Sequence, residues 1–251
     1  MSRPSLNPMK KYSLKIYCDF DGTITLNDVW LNSLGKFIKD KQKLNELCEE
    51  FYSQKIGTRE INRRHLALVE DFSFDKFNSY LDEEPVDIHF SGFVSFCKEN
   101  NFDITILSSG LDYYISYILK RNNIDIKFYS SELIWDEKQN IITCQYVHTD
   151  EYCKLCDTCK RNLLINNTND LENQVSVYIG DGVSDYCVSG YADIVFAKGN
   201  LASYCWKNNI TYFDYNYFSD VKNKLIRLIS TNKIKQRQEA GIRRKDIFMG
   251  G

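Results

Sequence analysis

The stretch Leu14-Lys15-Ile16-Tyr17-Cys18 runs directly into Asp19-Phe20-Asp21-Gly22-Thr23. Its first five residues alternate apolar with polar or amphipathic side chains, the two-residue period of a strand, and the Gly-containing segment that follows reads as a turn. Two carboxylates are therefore expected at the C-terminal end of a strand. Spaced two apart on extended chain, Asp19 and Asp21 point to the same side, where they repel unless a cation or a proton is shared. Short acidic turns also occur in ordinary loops and calcium sites, so the rest of the chain has to decide between these readings.

From Asn27 to about Asp87 the apolar spacing becomes helical, through Trp30, Leu31, Leu34, Phe37 and Ile38, then Leu44, Leu47, Cys48 and Phe51, then Ile61, Leu66 and Val69. This predicts a mainly helical insert. Beyond it strands and helices alternate: strand over 102–107, helix over 111–120, and strands over 126–131, 175–179 and 193–197. Such alternation predicts an α/β fold built on a doubly wound parallel sheet with helices on both faces. Leu133-Ile134-Trp135 and Ile141-Ile142-Thr143-Cys144, joined by a polar turn, read as a hairpin leaving the sheet. The expected division is a core of residues 13–26 and 88–232, an insert of 27–87, and tails at 1–12 and 233–251. The second tail, with six Lys or Arg residues, reads as a solvated last helix with a frayed end.

Composition narrows the partners. With 251 residues, 43% hydrophobic, and only 12 Gly and 3 Pro, the chain is a globular protein able to bury a real core. Its net charge of -2 gives no general electrostatic case for nucleic acid or an anionic membrane. No apolar run approaches the ~20 residues of a spanning helix. Nine cysteines without a secretory signal favour reduced thiols and a cytoplasmic location. A small molecule is the expected partner, with no nucleic acid and no membrane.

Three more segments carry chemistry, each ending a strand or opening a helix, where an open parallel sheet places its ligand crevice. Ser108-Ser109-Gly110 offers a hydroxyl and free N–H groups to an anion at a helix start, although it would serve equally as an N-cap. Lys160 precedes the apolar Leu163, Leu164 and Ile165, and taken alone is a surface lysine. Gly180-Asp181-Gly182-Val183-Ser184-Asp185 supplies two acids four apart, as caps or as metal ligands.

In this order and spacing the four segments resemble the haloacid dehalogenase superfamily of aspartate-nucleophile phosphatases, from about Leu14 to Leu228. The insert is similar to the small helical cap of its phosphoserine phosphatase-like branch. Within that branch Cys159-Lys160 resembles the methionine-salvage enolphosphatase and phosphocholine/phosphoethanolamine phosphatase groups. The resemblance implies a Mg2+-dependent phosphatase acting on a small phosphorylated metabolite, with Asp19 as nucleophile and Asp21 as general acid and base. It implies Ser108 and Lys160 on the phosphoryl group, and Ser109 and Gly110 beside it. The implied metal ligands are Asp19, the Asp21 backbone carbonyl and Asp181, with Asp185 in support. Where the branch carries a Glu and an Arg for an amino-acid substrate, this chain offers Asp28 and Arg64, so phosphoserine is one alternative substrate. A phosphotransferase and a catalytically silent binding protein on the same fold are others, the last disfavoured by the presence of Asp19, Asp21, Lys160 and Asp181.

One motif lies outside this scheme. His148, Cys153, Cys156 and Cys159 fall in one loop before Lys160, a four-ligand set of the N/S type that zinc prefers, set against a reading as neighbouring reduced thiols.

Overall fold

The computed structural model describes residues 12–248. The opening segment forms β1 (Ser13–Cys18), after which the chain runs through α1 (Val29–Asn32), a 3-10 turn at Leu34–Phe37, α2 (Lys41–Tyr52), α3 (Thr58–Leu66) and α4 (Phe74–Asp82). It returns by α5 (Phe90–Glu99) to β2 (Asp103–Leu111), α6 (Asp112–Arg121), β3 (Lys127–Asp136) and β4 (Ile141–Gln145). There follow α7 (Lys160–Asn166), β5 (Gln174–Gly180), α8 (Tyr186–Ser189), β6 (Ile194–Ala197), α9 (Gly199–Lys207), β7 (Phe213–Asp214), α10 (Phe218–Ser230) and α11 (Gln238–Phe248).

The sheet order is β4-β3-β2-β1-β5-β6-β7, and every neighbouring pair is parallel except β3 with β4. The chain's first strand therefore sits in the middle. Later strands are laid down first on one side of it and then on the other, and that reversal opens a crevice beyond the carboxyl ends of β1, β2 and β5.

Both faces of the sheet are buried, which is why its strands read as apolar runs. Along β5, Val175, Val177 and Ile179 join one apolar cluster, with Phe93 of α5, Ile115 of α6 and Val221 of α10. Tyr178, from the other side of the same strand, joins a second cluster with Leu164 of α7, Val188 of α8 and Leu201 of α9. Burying each such aliphatic side chain stabilises the fold by about 1.5–3 kcal/mol.

The shortage of glycine is met by asparagine. Helices α5, α6, α9 and α10 each end in an Asn with positive φ: Asn101, Asn123, Asn209 and Asn232. In each case the next N–H reaches back to a helix carbonyl: Phe102 to Cys97, Ile124 to Leu119, Ile210 to Cys205 and Lys233 to Leu228, at 2.8–2.9 Å. This is the Schellman closure, with the short polar side chain tolerating the left-handed conformation.

Two expectations are corrected. The Ser108-Ser109-Gly110 segment does not open a helix. It continues β2 as a bulge, pairing with β3 jumping from Leu107–Tyr129 to Leu111–Ser131, and α6 starts only at Asp112. The expected solvated tail is instead docked: Arg244 of α11 is 2% exposed. Its guanidinium donates to both oxygens of Asp170 (3.0 and 2.7 Å) and to Asp193 Oδ1 (3.0 Å). Charge composition alone misses this because the partners lie 74 and 51 residues away. The expected tail residues 1–11 and 249–251 lie outside the described residues.

Candidate active site

Asp19 follows the last residue of β1 and is anchored by its own N–H donating to Ile179 O (2.9 Å). Its Oδ1 accepts from Phe20 N (2.7 Å) and lies 2.7 Å from Lys160 Nζ. Both contacts fall on one oxygen, so Oδ2 is left for the cleft that Asp19 lines. Lys160, the first residue of α7, is 3% exposed, and its ammonium also donates to Asp185 Oδ1 (2.7 Å) and Ser184 Oγ (3.0 Å). Three partners use all three ammonium hydrogens. The lone-lysine reading as a surface residue is thereby excluded.

Asp185 is fully occupied. Besides Lys160, its Oδ1 accepts from the Tyr178 hydroxyl (2.5 Å), and its Oδ2 accepts from the N–H groups of Asp181 (3.0 Å) and Gly182 (3.1 Å). Asp181 receives the Thr23 hydroxyl on Oδ1 (3.0 Å) and faces the cleft. Gly22, at φ +70, must be glycine twice over: a Cβ there would lie 2.6 Å from Asp181 Oδ2.

Asp21 is held by Val29 N–H on Oδ1 (3.0 Å) and by the Tyr114 hydroxyl on Oδ2 (2.8 Å). A Cβ on Gly110 would sit 1.8 Å from that hydroxyl, so Gly110 makes room for the Tyr114–Asp21 bond. Ser109 lines the cleft. Ser108 does not face it as expected: fully buried in the bulge, its Oγ accepts from Gly110 N–H (2.9 Å).

The electrostatics follow from burial. Desolvation and the neighbouring Asp185 push the Asp19 carboxyl well above its ordinary range, against the pull of Lys160. Desolvation and Asp28 push Asp21 up to about 7, and desolvation and Asp185 push Asp181 up to about 6. One carboxylate oxygen from each of Asp19, Asp181 and Asp185 lies within 4.8 Å of the others. Such a group of hard oxygen donors drawn together is suited to a divalent cation. Asp185 has no free acceptor geometry left and supports the pair from behind.

The helical insert closes the other wall. Thr58, Ile61, Asn62 and His65 of α3 line the cleft, the i, i+3, i+4, i+7 face of one helix. Arg64 falls off that face and corrects the expectation of a substrate contact. Its Nε donates to Glu60 Oε1 (2.6 Å) and its NH1 to Glu50 Oε2 (3.1 Å), and it does not line the cleft. Asp28 does line it, while its Oδ1 caps α1 by accepting from Leu31 N (2.9 Å).

The zinc set does not assemble. Among the described residues the one group of three or more possible ligands drawn together is the aspartate trio. The His148 ring packs perpendicular to Tyr129, and its carbonyl accepts from Cys159 N (2.6 Å). The loop is pinned instead by Asp150, which accepts from Tyr152 N, Cys153 N, Arg161 and Asn162 at 2.6–2.9 Å. Buried Asp157 ties the loop to α3 through Thr58 Oγ1 (2.8 Å) and Asn62 Nδ2 (2.5 Å). All nine cysteines are free thiols.

Sequence reasoning missed Tyr114, Tyr178, Thr23, Trp30 and His65. Only His65 had a local signal, the helical phase set by Ile61.

The fold is a doubly wound, Rossmann-like α/β sheet with a buried Asp-Lys-Asp cluster at its topological switch point. The haloacid dehalogenase-like hydrolase family matches residues 16–189, and the chain belongs to that family. The family and the relatives that follow make it a phosphomonoester hydrolase. A 2-hydroxy-3-keto-5-methylthiopentenyl-1-phosphate phosphatase of Bacillus cereus (strain AH820) is 30% identical over 222 residues, 86% of this chain and 98% of the relative. One from Bacillus cereus (strain ATCC 14579) is 29% identical over 218 residues, 85% and 96% of the two chains. A solved phosphoserine phosphatase, as a phospho-aspartyl intermediate analogue, shares the fold at TM-score 0.65 and 16% identity, covering 86% of this chain and 99% of that one. A cytosolic 5'-nucleotidase IIIB bound to cytidine superimposes at 0.59 with 15% identity, covering 88% and 86%. No helix among the described residues is long and apolar enough to cross a membrane.

Proposed function

We propose that this protein hydrolyses a small phosphorylated metabolite with Mg2+, through a phosphoryl group carried on Asp19. The observation that carries the reading is the division of labour at Asp19: Lys160 and Phe20 N–H both bind Oδ1, and the residue lines the cleft, which leaves Oδ2 for a substrate. Oδ2 attacks phosphorus in line as the bond to the leaving oxygen breaks. Asp21, pushed up to about 7 and so partly protonated near neutral pH, gives its proton to that oxygen, with Tyr114 and Val29 N–H fixing its orientation. A water then loses a proton to Asp21 and attacks the same phosphorus, releasing phosphate and restoring Asp19. Lys160 offsets the charge of Asp19 and Asp185 throughout.

The Asp19 and Asp181 carboxylates, with the Asp21 backbone carbonyl, would hold Mg2+, and Asp185 positions Asp181 through its backbone N–H. When bound, the ion would supply charge neutralisation for the phosphoryl oxygens. We read residues 27–87 as a cap whose wall excludes water and contacts the leaving group. The aromatic character of that wall, its lack of a cation to pair with a carboxylate, and the names of the Bacillus relatives together favour a phosphorylated keto or enol metabolite over phosphoserine. Phosphate release from a panel of phosphorylated metabolites, with and without Mg2+, tests this. Activity confined to phosphoserine, or none on any ester, would refute it.

A further inference from the structure

Two residues that line one wall of the cleft, His65 and Trp30, carry three buried polar atoms with no hydrogen-bond partner: both imidazole nitrogens and the indole Nε1. His65 is 2% exposed and Trp30 6%, and their rings stand 6.3 Å apart. Leaving such atoms unpaired is costly, so they are kept where a ligand completes them. Three other polar groups of that wall are already engaged. Thr58 and Asn62 are bound to Asp157, and Asp28 caps α1.

We infer that His65, assisted by Trp30, is the specificity-determining residue of this phosphatase, reading an uncharged oxygen, carbonyl or hydroxyl, on the leaving group. The inference rests on the proposed phosphatase reading. Burial holds the imidazole down to about 4, so it is neutral near pH 7 and offers one donor and one acceptor. The Trp30 indole adds a donor. A hydroxyl or carbonyl satisfies these groups without bringing charge. That wall offers a carboxylate no counter-charge: the cleft residues contributed by positions 26–65 include no cation, Arg64, which would have been one, is turned to Glu50 and Glu60, and the cleft's lysine, Lys198, comes from the start of α9 instead. A one-residue change of phase on α3 thus exchanges a guanidinium for a neutral ring.

The test compares wild type, His65→Leu, His65→Arg and Trp30→Phe on fructose 1-phosphate, phosphoserine, phosphoethanolamine and p-nitrophenyl phosphate, each with Mg2+. Wild type is expected to favour fructose 1-phosphate over phosphoserine. His65→Leu should lower kcat/KM on fructose 1-phosphate by about 10- to 100-fold, with p-nitrophenyl phosphate changed by less than about twofold. Trp30→Phe should do the same to a smaller extent, and His65→Arg should raise phosphoserine turnover. Replacing an unpaired buried imidazole by an apolar side chain should leave Tm unchanged or raised, whereas a purely structural histidine would lower it. Equal losses on every ester, or no loss on fructose 1-phosphate, overturns the inference. So does a wild-type preference for phosphoserine or phosphoethanolamine. Wild type that releases no phosphate from p-nitrophenyl phosphate overturns the phosphatase reading itself, a result distinct from normal hydrolysis that ignores His65.

Discussion

Replacing Lys160 by Met removes one charge while keeping most of the side chain's volume. In the wild type the ammonium lies 2.7 Å from both Asp19 and Asp185, with side chains 2%, 6% and 0% exposed. Breaking a buried pair by removing one partner costs about 3–5 kcal/mol, because the remaining charge is left uncompensated. The sign with pH follows from the carboxyls. Without Lys160, burial and mutual repulsion raise the folded-state pKa of Asp19 further above its unfolded value. A raised acid binds more protons folded than unfolded, so stability is lost as pH rises through the interval between the two values. Urea unfolding of Lys160→Met should therefore show its full deficit of about 3–5 kcal/mol at pH 8 and a smaller one near pH 5. Phosphate release should fall by about 10²–10³-fold, the loss expected when one charge-stabilising donor is removed. A deficit that grows on acidification, or a variant as stable as wild type at pH 8, would refute the assignment of Lys160 as the counter-charge of this site.

Asp19→Asn should reduce phosphate release by about 10⁴-fold or more, because an amide cannot serve as nucleophile, as single-turnover assays would read directly. Asp21→Asn should slow both halves of the reaction by about 10²–10⁴-fold and let phosphate remain on the protein, detectable by mass spectrometry at low pH. Chelation should abolish activity, Mg2+ should restore it, and Ca2+ should inhibit through its looser coordination; activity surviving exhaustive chelation would count against the metal reading. Arg244→Met should destabilise the fold by about 3 kcal/mol, since Asp193 is left buried, while kcat stays unchanged. A fall in kcat with unaltered stability would contradict a purely structural role.

Local pattern determined much of this protein. The period-two run before Asp19, the alternation of apolar segments and the Gly-Asp turns after strands were enough to place the acids at strand ends and to imply a doubly wound sheet, because backbone periodicity and turn chemistry are properties of neighbouring residues. The aspartates were legible for the same reason, since each follows a strand, whereas Lys160, a surface lysine by its neighbours alone, entered the site only through the resemblance. What only the tertiary structure decided was which side chains satisfy one another across the chain. Tyr114 reaches Asp21 over 93 residues and Arg244 reaches Asp170 over 74, and no local signal encodes such pairs. The bulge that turns Ser108 inward depends on its register with β3. The phase of α3 places His65 in the cleft and Arg64 on Glu50, although the two are adjacent in sequence. A helix rotates about 100° per residue, so a one-position difference separates a cleft wall from a solvated face, and packing against the core sets which is which.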